Sequence, residues 1–500
     1  MTSKSSLRLL FVSSEVEGLL KTGGLADVAK SLPESLLKLG YNVKVIMPFY
    51  RQLKEREKTL VCSKVLSVKD QAYSVEYKVY HIQVGHLSVY AIDAPHYFDR
   101  EAPYAVNNQA YPDNGERFAF FDAAVLDCLP EIGFQPDLIH CNDWQAGLVP
   151  FLLKTRYSHS DFYAKTKSVI TIHNAIFRGE FDYSQFSLLP ELTQCHYPQI
   201  ESGCHSISML RAGIAFADKV NAVSPNYAKE LLTPLGAHGL HEDFLRRQHD
   251  LYGILNGCDY GSWNPESDTL IAANYGRSER ELAQGKLQCK ADLQRTVDLP
   301  EKDVALYGMV CRLTNQKGIQ YLIPILERFL VNNVQVVLVG TGDPVLAAEL
   351  REIAQRHSDK MRFVEAYDNT LAHKVEAGSD FFLMPSEFEP CGLNQIYSLA
   401  YGTLPIVRAV GGLVDTVVDY DSDPQKATGF VFTEPKALDL LCILQRSLIV
   451  YLQAPAEFTR VQQNAMAKRF EWQESAIEYI DMYSDALGFC VKTHQTDVCL

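Results

Sequence analysis

Residues 7–48 read LRLLFVSSEVEGLLKTGGLADVAKSLPESLLKLGYNVKVIMP, and the fold class turns on this stretch. LRLLFVSSE is an apolar run of strand length. LADVAKSLPESLLKLG carries its apolar residues at helical spacing and stops at Gly40, and YNVKVIMP is a second apolar run. Strand, helix, strand in so few residues is the unit of a parallel α/β sheet. Outward from it the alternation continues. Residues 59–94 read as shorter strands, 115–130 as a helix, PDLIHC as a strand, WQAGLVPFLLKTRY as a helix and KSVITIH as a strand. SISMLRAGIAFA reads as a helix, DKVNAVS as a strand and PNYAKELL as a helix.

The Gly-, Asn- and Pro-rich passage NGCDYGSWNPESD at 256–268 breaks the pattern and marks the approach to a domain boundary. The alternation then restarts with VALYGMVCR and runs through GIQYLIPILERFL, VQVVLVG, PVLAAELREIAQRH, MRFVEA, TLAHKVEAG, DFFLMP, CGLNQIYSLAYG, LPIVR and GFVF. Helices near 436–453 and 471–486 close it. A chain of 500 residues exceeds one core, so two doubly wound α/β domains in tandem are expected. Such sheets bind ligands at the carboxyl ends of their strands, here across a cleft between the domains.

The net charge of −14 argues against nucleic acid or an anionic membrane surface as partner, because phosphates need a basic face. No run approaches roughly 18 uncharged apolar residues, so no membrane span is expected. The twelve cysteines are scattered without a C-x-x-C pair, as in a cytoplasmic protein with reduced thiols. Cys195-His196 and Cys204-His205 lack the tight pair spacing of a zinc site. DYDSD at 419–423 has Pro where a calcium loop needs Gly, and reads as a solvated loop.

Five strand exits carry chemistry. Lys21-Thr22-Gly23-Gly24 precedes the first helix; glycines admit a close ligand, and a helix start with a lysine suits a diphosphate, although a plain strand–helix turn uses the same residues. Arg312 and Lys317 follow the first strand of the second domain, as phosphate cations or as a solvated helix start. Glu389, Cys391, Gly392 and Leu393 follow DFFLMP. The glutamate faces the cleft or caps a helix, Gly392 and Leu393 are expected to present first-turn N–H groups, and Cys391 has no His–Asn partnership for a nucleophilic role. Asp143 and Trp144 sit at a fourth exit, and His173 with Asn174 at a fifth.

Together the segments KTGGLADV, HCNDWQAGL, TIHN, NAVSPNYAKEL, GILNGCD, CRLTNQKG, VGTGDP, FEPCGLNQ and YGTLPIVRAVGGLVDTV resemble, in order and over nearly the whole chain, the bacterial glycogen synthase and plant starch synthase family. The early KTGGL is similar to the bacterial form without a plastid transit peptide. The resemblance implies two Rossmann-like domains of GT-B type, at 1–255 and 256–470, with residues 471–500 supplying a helix that crosses back to the first domain and a tail. It implies a hexosyltransferase that moves glucose from ADP-glucose to the non-reducing end of an α-1,4-glucan with retention of configuration. UDP-glucose use or glucan phosphorylase activity is the alternative; a phosphorylase needs a lysine carrying pyridoxal phosphate, and no segment supports one.

Carried over, Lys21, Gly23, Gly24, Cys391, Gly392 and Leu393 bind the donor and Tyr367 stacks near its base. Arg312 and Lys317 stabilise the leaving phosphates. Glu389 hydrogen-bonds the transferred glucose, with Asp143, His173 and Asn256 around it. Asp27, Tyr104, Trp144 and Asn174 shape the acceptor side. Neither a metal nor another cofactor is expected. Glu387 stands where Arg is frequent in the family, and Asn394 where Thr is common in some members.

Overall fold

The computed structural model describes residues 7–67, 74–106, 109–366 and 368–489. The chain divides into two units. The first runs to Gly257 and resumes at Trp472, and the second is Cys258–Glu471. The limits lie two residues and one residue beyond those expected, which moves Asn256 into the first unit.

The first unit contains β1 (Arg8–Val12), β2 (Asn42–Pro48), β3 (Thr59–Ser67), β4 (Ser74–Val84), β5 (Leu87–Asp93), β6 (Ala105–Val106), β7 (Gln109–Ala110), β8 (Leu138–Asn142), β9 (Lys167–Ile172), β10 (Glu180–Asp182), β11 (Ser206–Ser208), β12 (Lys219–Ala222) and β13 (Leu251–Gly253). Nine of these form one sheet in the order β13-β12-β9-β8-β1-β2-β5-β4-β3. It is parallel from β13 to β5, and β4 and β3 extend it antiparallel at one edge. All five residues of β8 are buried, whereas β3 alternates, as central and edge strands should. The helix Gly24–Lys38 buries Leu25, Val28, Leu32 and Leu36, one helical face.

Two local expectations are corrected. Ser206–Ser208 is not the start of a helix but a strand paired with β10; Ser208 then caps the helix Met209–Phe216 by accepting from Arg211 N–H at 3.2 Å. The helix expected from Trp144 is interrupted. A 3-10 turn, Trp144–Ala146, precedes the α-helix Leu148–Lys154, and Gly147 between them lies so close to Met209 that a Cβ would stand 2.1 Å from its carbonyl oxygen.

The helix Trp472–Ala486 packs within the first unit. Tyr483 OH meets His140 Nδ1 at 2.8 Å, Asn221 Nδ2 donates to Tyr479 OH at 3.0 Å, and Ser475 Oγ donates to Leu255 O at 2.7 Å.

The second unit contains β14 (Ala305–Val310), β15 (Val334–Val339), β16 (Met361–Val364), β17 (Phe381–Met384), β18 (Leu404–Arg408) and β19 (Phe430–Phe432). They form one parallel sheet in the order β16-β15-β14-β17-β18-β19. A helix absent from the sequence reading, Glu279–Thr296, packs on the helix Asn369–Gly378 through Leu293 and Cys289, whose atoms crowd Gly378.

In the parallel part of each sheet the strand order reverses direction once. The reversal falls between β1 and β8 in the first unit and between β14 and β17 in the second. Loops leaving adjacent strands there diverge, which opens a crevice at their carboxyl ends.

Candidate active site

In the first unit the loop after β1 is organised by Glu15, a residue the sequence reading passed over. Its side chain is buried. The carboxylate accepts Thr22 Oγ1–H at 2.6 Å, Tyr104 OH at 2.6 Å and the backbone N–H of Thr22; Ser14 Oγ lies 2.7 Å from the same phenol oxygen. Glu15 thus ties the Lys21–Gly24 segment and Tyr104 to one strand end. A Cβ built on Gly23 meets no atom within 4 Å, so the protein's own packing does not demand glycine there. Lys21 Nζ is 2.6 Å from Asp27 Oδ1 and 3.5 Å from Glu17 Oε1. Burial pushes the Asp27 carboxyl up to about 6, against the pull of Lys21.

Across the same reversal, Asp143 follows β8 with a positive φ of 54°, rare for a residue with a side chain. Its N–H donates to Thr171 O at 3.0 Å, and its Oδ1 accepts the N–H of His173 at 2.7 Å, so two strand exits are locked together. Burial pushes this carboxyl up to about 7; backbone N–H groups of His173 and Asn174 oppose the rise and the charge of Glu15 adds to it. Burial lowers His173 to about 3, so its ring is neutral. Asn142 Nδ2 donates to Val12 O at 3.1 Å, which leaves Asn142 Oδ1 to accept from His173 Nε2 at 3.0 Å and His173 Nδ1 as an acceptor. Asn256 is 4% exposed and its Oδ1 has no hydrogen-bond partner among the described residues, a cost usually met by a ligand or water.

Trp144 departs from expectation. Its indole is 8% exposed and packs on Phe118 and Phe181 at 5.0 and 5.5 Å between ring centroids. It is a core residue without an open face for a sugar. Tyr104 spends its hydroxyl on Glu15 and Ser14. Asn174 Oδ1 accepts Ile176 N–H at 3.2 Å, shaping the next turn.

In the second unit the crevice between β14 and β17 is spanned by one ion pair. Lys317 Nζ lies 2.6 Å from Glu389 Oε2, and Ser386 Oγ donates to the same oxygen at 3.0 Å. Glu389 is 6% exposed. Gly318, φ 75°, brings the lysine loop against β17: a Cβ there would stand 1.9 Å from Pro385 O. Gly411, φ 45°, does the same for Glu389, whose carbonyl oxygen would lie 1.9 Å from a Cβ and which also accepts Gly412 N–H at 3.1 Å. Arg312 is exposed and makes no hydrogen bond or ion pair among the described residues.

The helix after this loop is Asn394–Ala400, so Gly392, φ 75°, and Leu393 precede it instead of forming its first turn. Cys391 is buried. Glu387 is held by the hydroxyl of Tyr321, and Asn394 Nδ2 donates to Val310 O at 2.8 Å, so both departures from the family pattern are used inside the unit. Tyr367 lies outside the described residues. Asp421 pairs with Arg446 at 2.7 Å, Asp423 with Lys426 at 3.5 Å, and Asp419 accepts the N–H groups of Ser422 and Val431, which leaves the 419–423 loop a surface turn. Cys195 and Cys204 are exposed, and His196 pairs with Glu201.

Residues 8–246 match the family described as starch synthase catalytic domain, and residues 291–445 match glycosyl transferases group 1. The glycogen synthase of Photobacterium profundum is 62% identical over 482 residues, 96% of this chain and 95% of that one. The glycogen synthase of Vibrio cholerae serotype O1 (strain M66-2) is 58% identical over 474 residues, 95% and 97% of the two chains. Among solved structures, the catalytic domain of starch synthase IV from Arabidopsis thaliana, bound to ADP and acarbose, matches with a TM-score of 0.87 at 30% identity and covers 97% of this chain and 100% of that one. A sucrose-phosphate synthase from Thermosynechococcus elongatus, 19% identical with a TM-score of 0.57 over 96% and 99% of the two chains, shares the fold. Two doubly wound units, the family matches and the identity to these relatives agree: the chain belongs to the glycogen synthase and starch synthase family of hexosyltransferases, with the two-domain GT-B fold.

Proposed function

We propose that this protein lengthens an α-1,4-glucan at its non-reducing end, transferring glucose from ADP-glucose with retention of configuration. The observation that carries the reading is the cluster of Lys317, Glu389 and Ser386 at the β14/β17 reversal, with the unengaged guanidinium of Arg312 on the same β14 exit loop as Lys317. A departing nucleoside diphosphate gathers negative charge, and fixed cations at that place stabilise the transition state more than the ground state. In the first unit, Lys21 with Gly23 and Gly24 offers a cation and backbone donors suited to a diphosphate. Adenine as the base is supported by the starch synthase relative, whose structure holds ADP.

Retention is proposed to come from attack on the face that the diphosphate leaves, without a glucosyl-enzyme. Glu389 Oε2 accepts from Lys317 and Ser386, which fixes the carboxylate in place, and its proposed part is to hold the hydroxyls of the transferred glucose. Asp143 and the neutral His173 are proposed to hydrogen-bond sugar hydroxyls. The charge is met by cationic side chains, and the reaction is proposed to need neither a metal nor pyridoxal phosphate. Among the described residues no single helix is long and apolar enough to cross a membrane, and the described cysteines are free; the cytoplasm is the proposed compartment.

The test is incubation of the pure protein with glycogen and either ADP-glucose or UDP-glucose, reading nucleotide release and glucan growth. Faster release from ADP-glucose is expected. Faster release from UDP-glucose changes the donor, and release from neither overturns the reading.

A further inference from the structure

With Trp144 buried, its indole offers no face to a sugar on the acceptor side. The loop that buries it supplies another aromatic ring. Phe177 follows His173 by four residues at the exit of β9, and its ring is 51% exposed, next to Ile176 at 42%. An isolated exposed apolar residue is ordinary, but this one stands on a loop fixed at every step. Ala175 N–H donates to Tyr227 OH at 2.9 Å, Ile176 N–H to Asn174 Oδ1 at 3.2 Å and Phe177 N–H to Asn174 O at 3.2 Å. The carbonyl of Arg178 accepts Ser208 Oγ–H at 2.7 Å and Leu210 N–H at 3.1 Å, and that of Gly179 accepts Met209 N–H at 2.9 Å. Gly179, φ 58°, lets the loop lie flat on Trp144; a Cβ there would stand 2.6 Å from the indole. The tryptophan is a buttress, and what it supports is a rigid loop that holds a phenyl ring in water four residues past His173 at the exit of β9.

We propose that Phe177 is an acceptor-binding residue, a platform on which a glucose ring of the α-glucan stacks. This rests on the glucan reading given above. A pyranose presents a face of C–H groups that an aromatic ring covers well, while its hydroxyls stay at the rim in water. A rigid ring binds such a face without the entropy loss of a flexible side chain. The exposure of the residue also makes it separable from folding.

The experiment measures maltoheptaose binding to the full chain by calorimetry, without donor, for wild type, Phe177→Ala, Phe177→Trp and Phe177→Leu, followed by KM for glycogen and for ADP-glucose. Phe177→Ala and Phe177→Leu are expected to weaken maltoheptaose about tenfold, the scale of one aromatic contact. Glycogen KM should rise with it, Phe177→Trp should retain binding, and KM for ADP-glucose and Tm should stay put. Equal maltoheptaose affinity in wild type and Phe177→Ala overturns the proposal, as does a Phe177→Trp as weak as Phe177→Ala. A wild type that binds maltoheptaose but transfers no glucose overturns the proposed reaction and leaves this inference standing.

Discussion

Lys317 Nζ and Glu389 Oε2 are 2.6 Å apart, and the two residues leave different strands, β14 and β17, on either side of the point where the strand order of the second sheet reverses. The pair therefore fixes the mutual position of two loops as well as two charges. Lys317→Ala is expected to lower kcat by about 10²–10³, the loss typical of one fixed donor at a developing charge. It also leaves a nearly buried carboxylate without its cation, so Tm should fall further than in Glu389→Gln, which removes the charge at the other end. Steady-state rates and thermal melts of both variants check this. A Lys317→Ala enzyme with wild-type kcat would remove the lysine from the chemistry.

Glu15 holds the Lys21–Gly24 loop, and replacing it tests whether that loop binds the donor. Gln at this position puts an N–H₂ where an acceptor is needed, so one of its bonds to Thr22 or Tyr104 is lost. KM for ADP-glucose is expected to rise about tenfold, because Lys21 loses its fixed loop. Tyr104→Phe deletes one of the same bonds and should produce a smaller rise in the same direction. An Asp27→Ala control separates the loop from the Lys21–Asp27 contact. Unchanged donor KM in Glu15→Gln counts against the coupling.

How much of this is legible in the sequence depends on burial. The strands at the centres of both sheets read as unbroken apolar runs because both their faces are covered, and the residues just past them are found by following those runs. Glu15 is not, since a glutamate after a strand reads as solvated until Thr22 and Tyr104 are seen to converge on it. Trp144 misleads for the converse reason: sequence shows an aromatic beside an aspartate at a strand exit but not the Phe118 and Phe181 that cover it. The helix Glu279–Thr296 has only a thin apolar line to read, Leu282, Cys289 and Leu293. Its inner face includes Lys286 and Lys290, which are satisfied by Thr403, by the Ser379 carbonyl and by Asp380 at 2.6 Å. Such partners are distant in sequence and invisible to periodicity.

Asp143 and His173 give the stability a pH signature with opposite signs. The Asp143 carboxyl titrates at about 7 in the folded protein, above its free value, so the unfolded chain releases that proton first. Its contribution is complete below a pH of about 4 and is lost as pH rises through 7. His173, lowered to about 3, contributes fully above about 6.5 and loses its contribution as pH falls. Urea midpoints from pH 4 to 8 should therefore show Asp143→Asn gaining on wild type as pH rises. Parallel curves would mean that Asp143 is not held protonated.

Metal dependence tests the charge balance. On the proposed reading, in which cationic side chains meet the phosphate charge, activity should be unchanged by EDTA. Asp421→Asn should also be silent apart from losing the exposed contact to Arg446, a pair worth little. Chelator-sensitive turnover, restored by a divalent ion, would call for a different partner for the diphosphate.

Gly411 couples the backbone of the second unit to the position of Glu389. Its φ of 45° already disfavours a side chain, and a Cβ would sit 1.9 Å from the carbonyl oxygen of Glu389, closer than any non-bonded contact allows. Backbone on both sides must then move, and the Glu389 loop is the one without a helix to hold it. Gly411→Ala is expected to destabilise by about 1–3 kcal/mol, the range of a forced backbone conformation, and to cut kcat beyond what the melt explains. The comparison that decides is Gly411→Ala against an equally destabilising substitution in the second unit's core, such as Leu322→Ala scaled by its own Tm. If both lose activity only in proportion to folded fraction, the glycine matters for folding alone. If Gly411→Ala loses more, the position of the Glu389 backbone is itself part of the reaction.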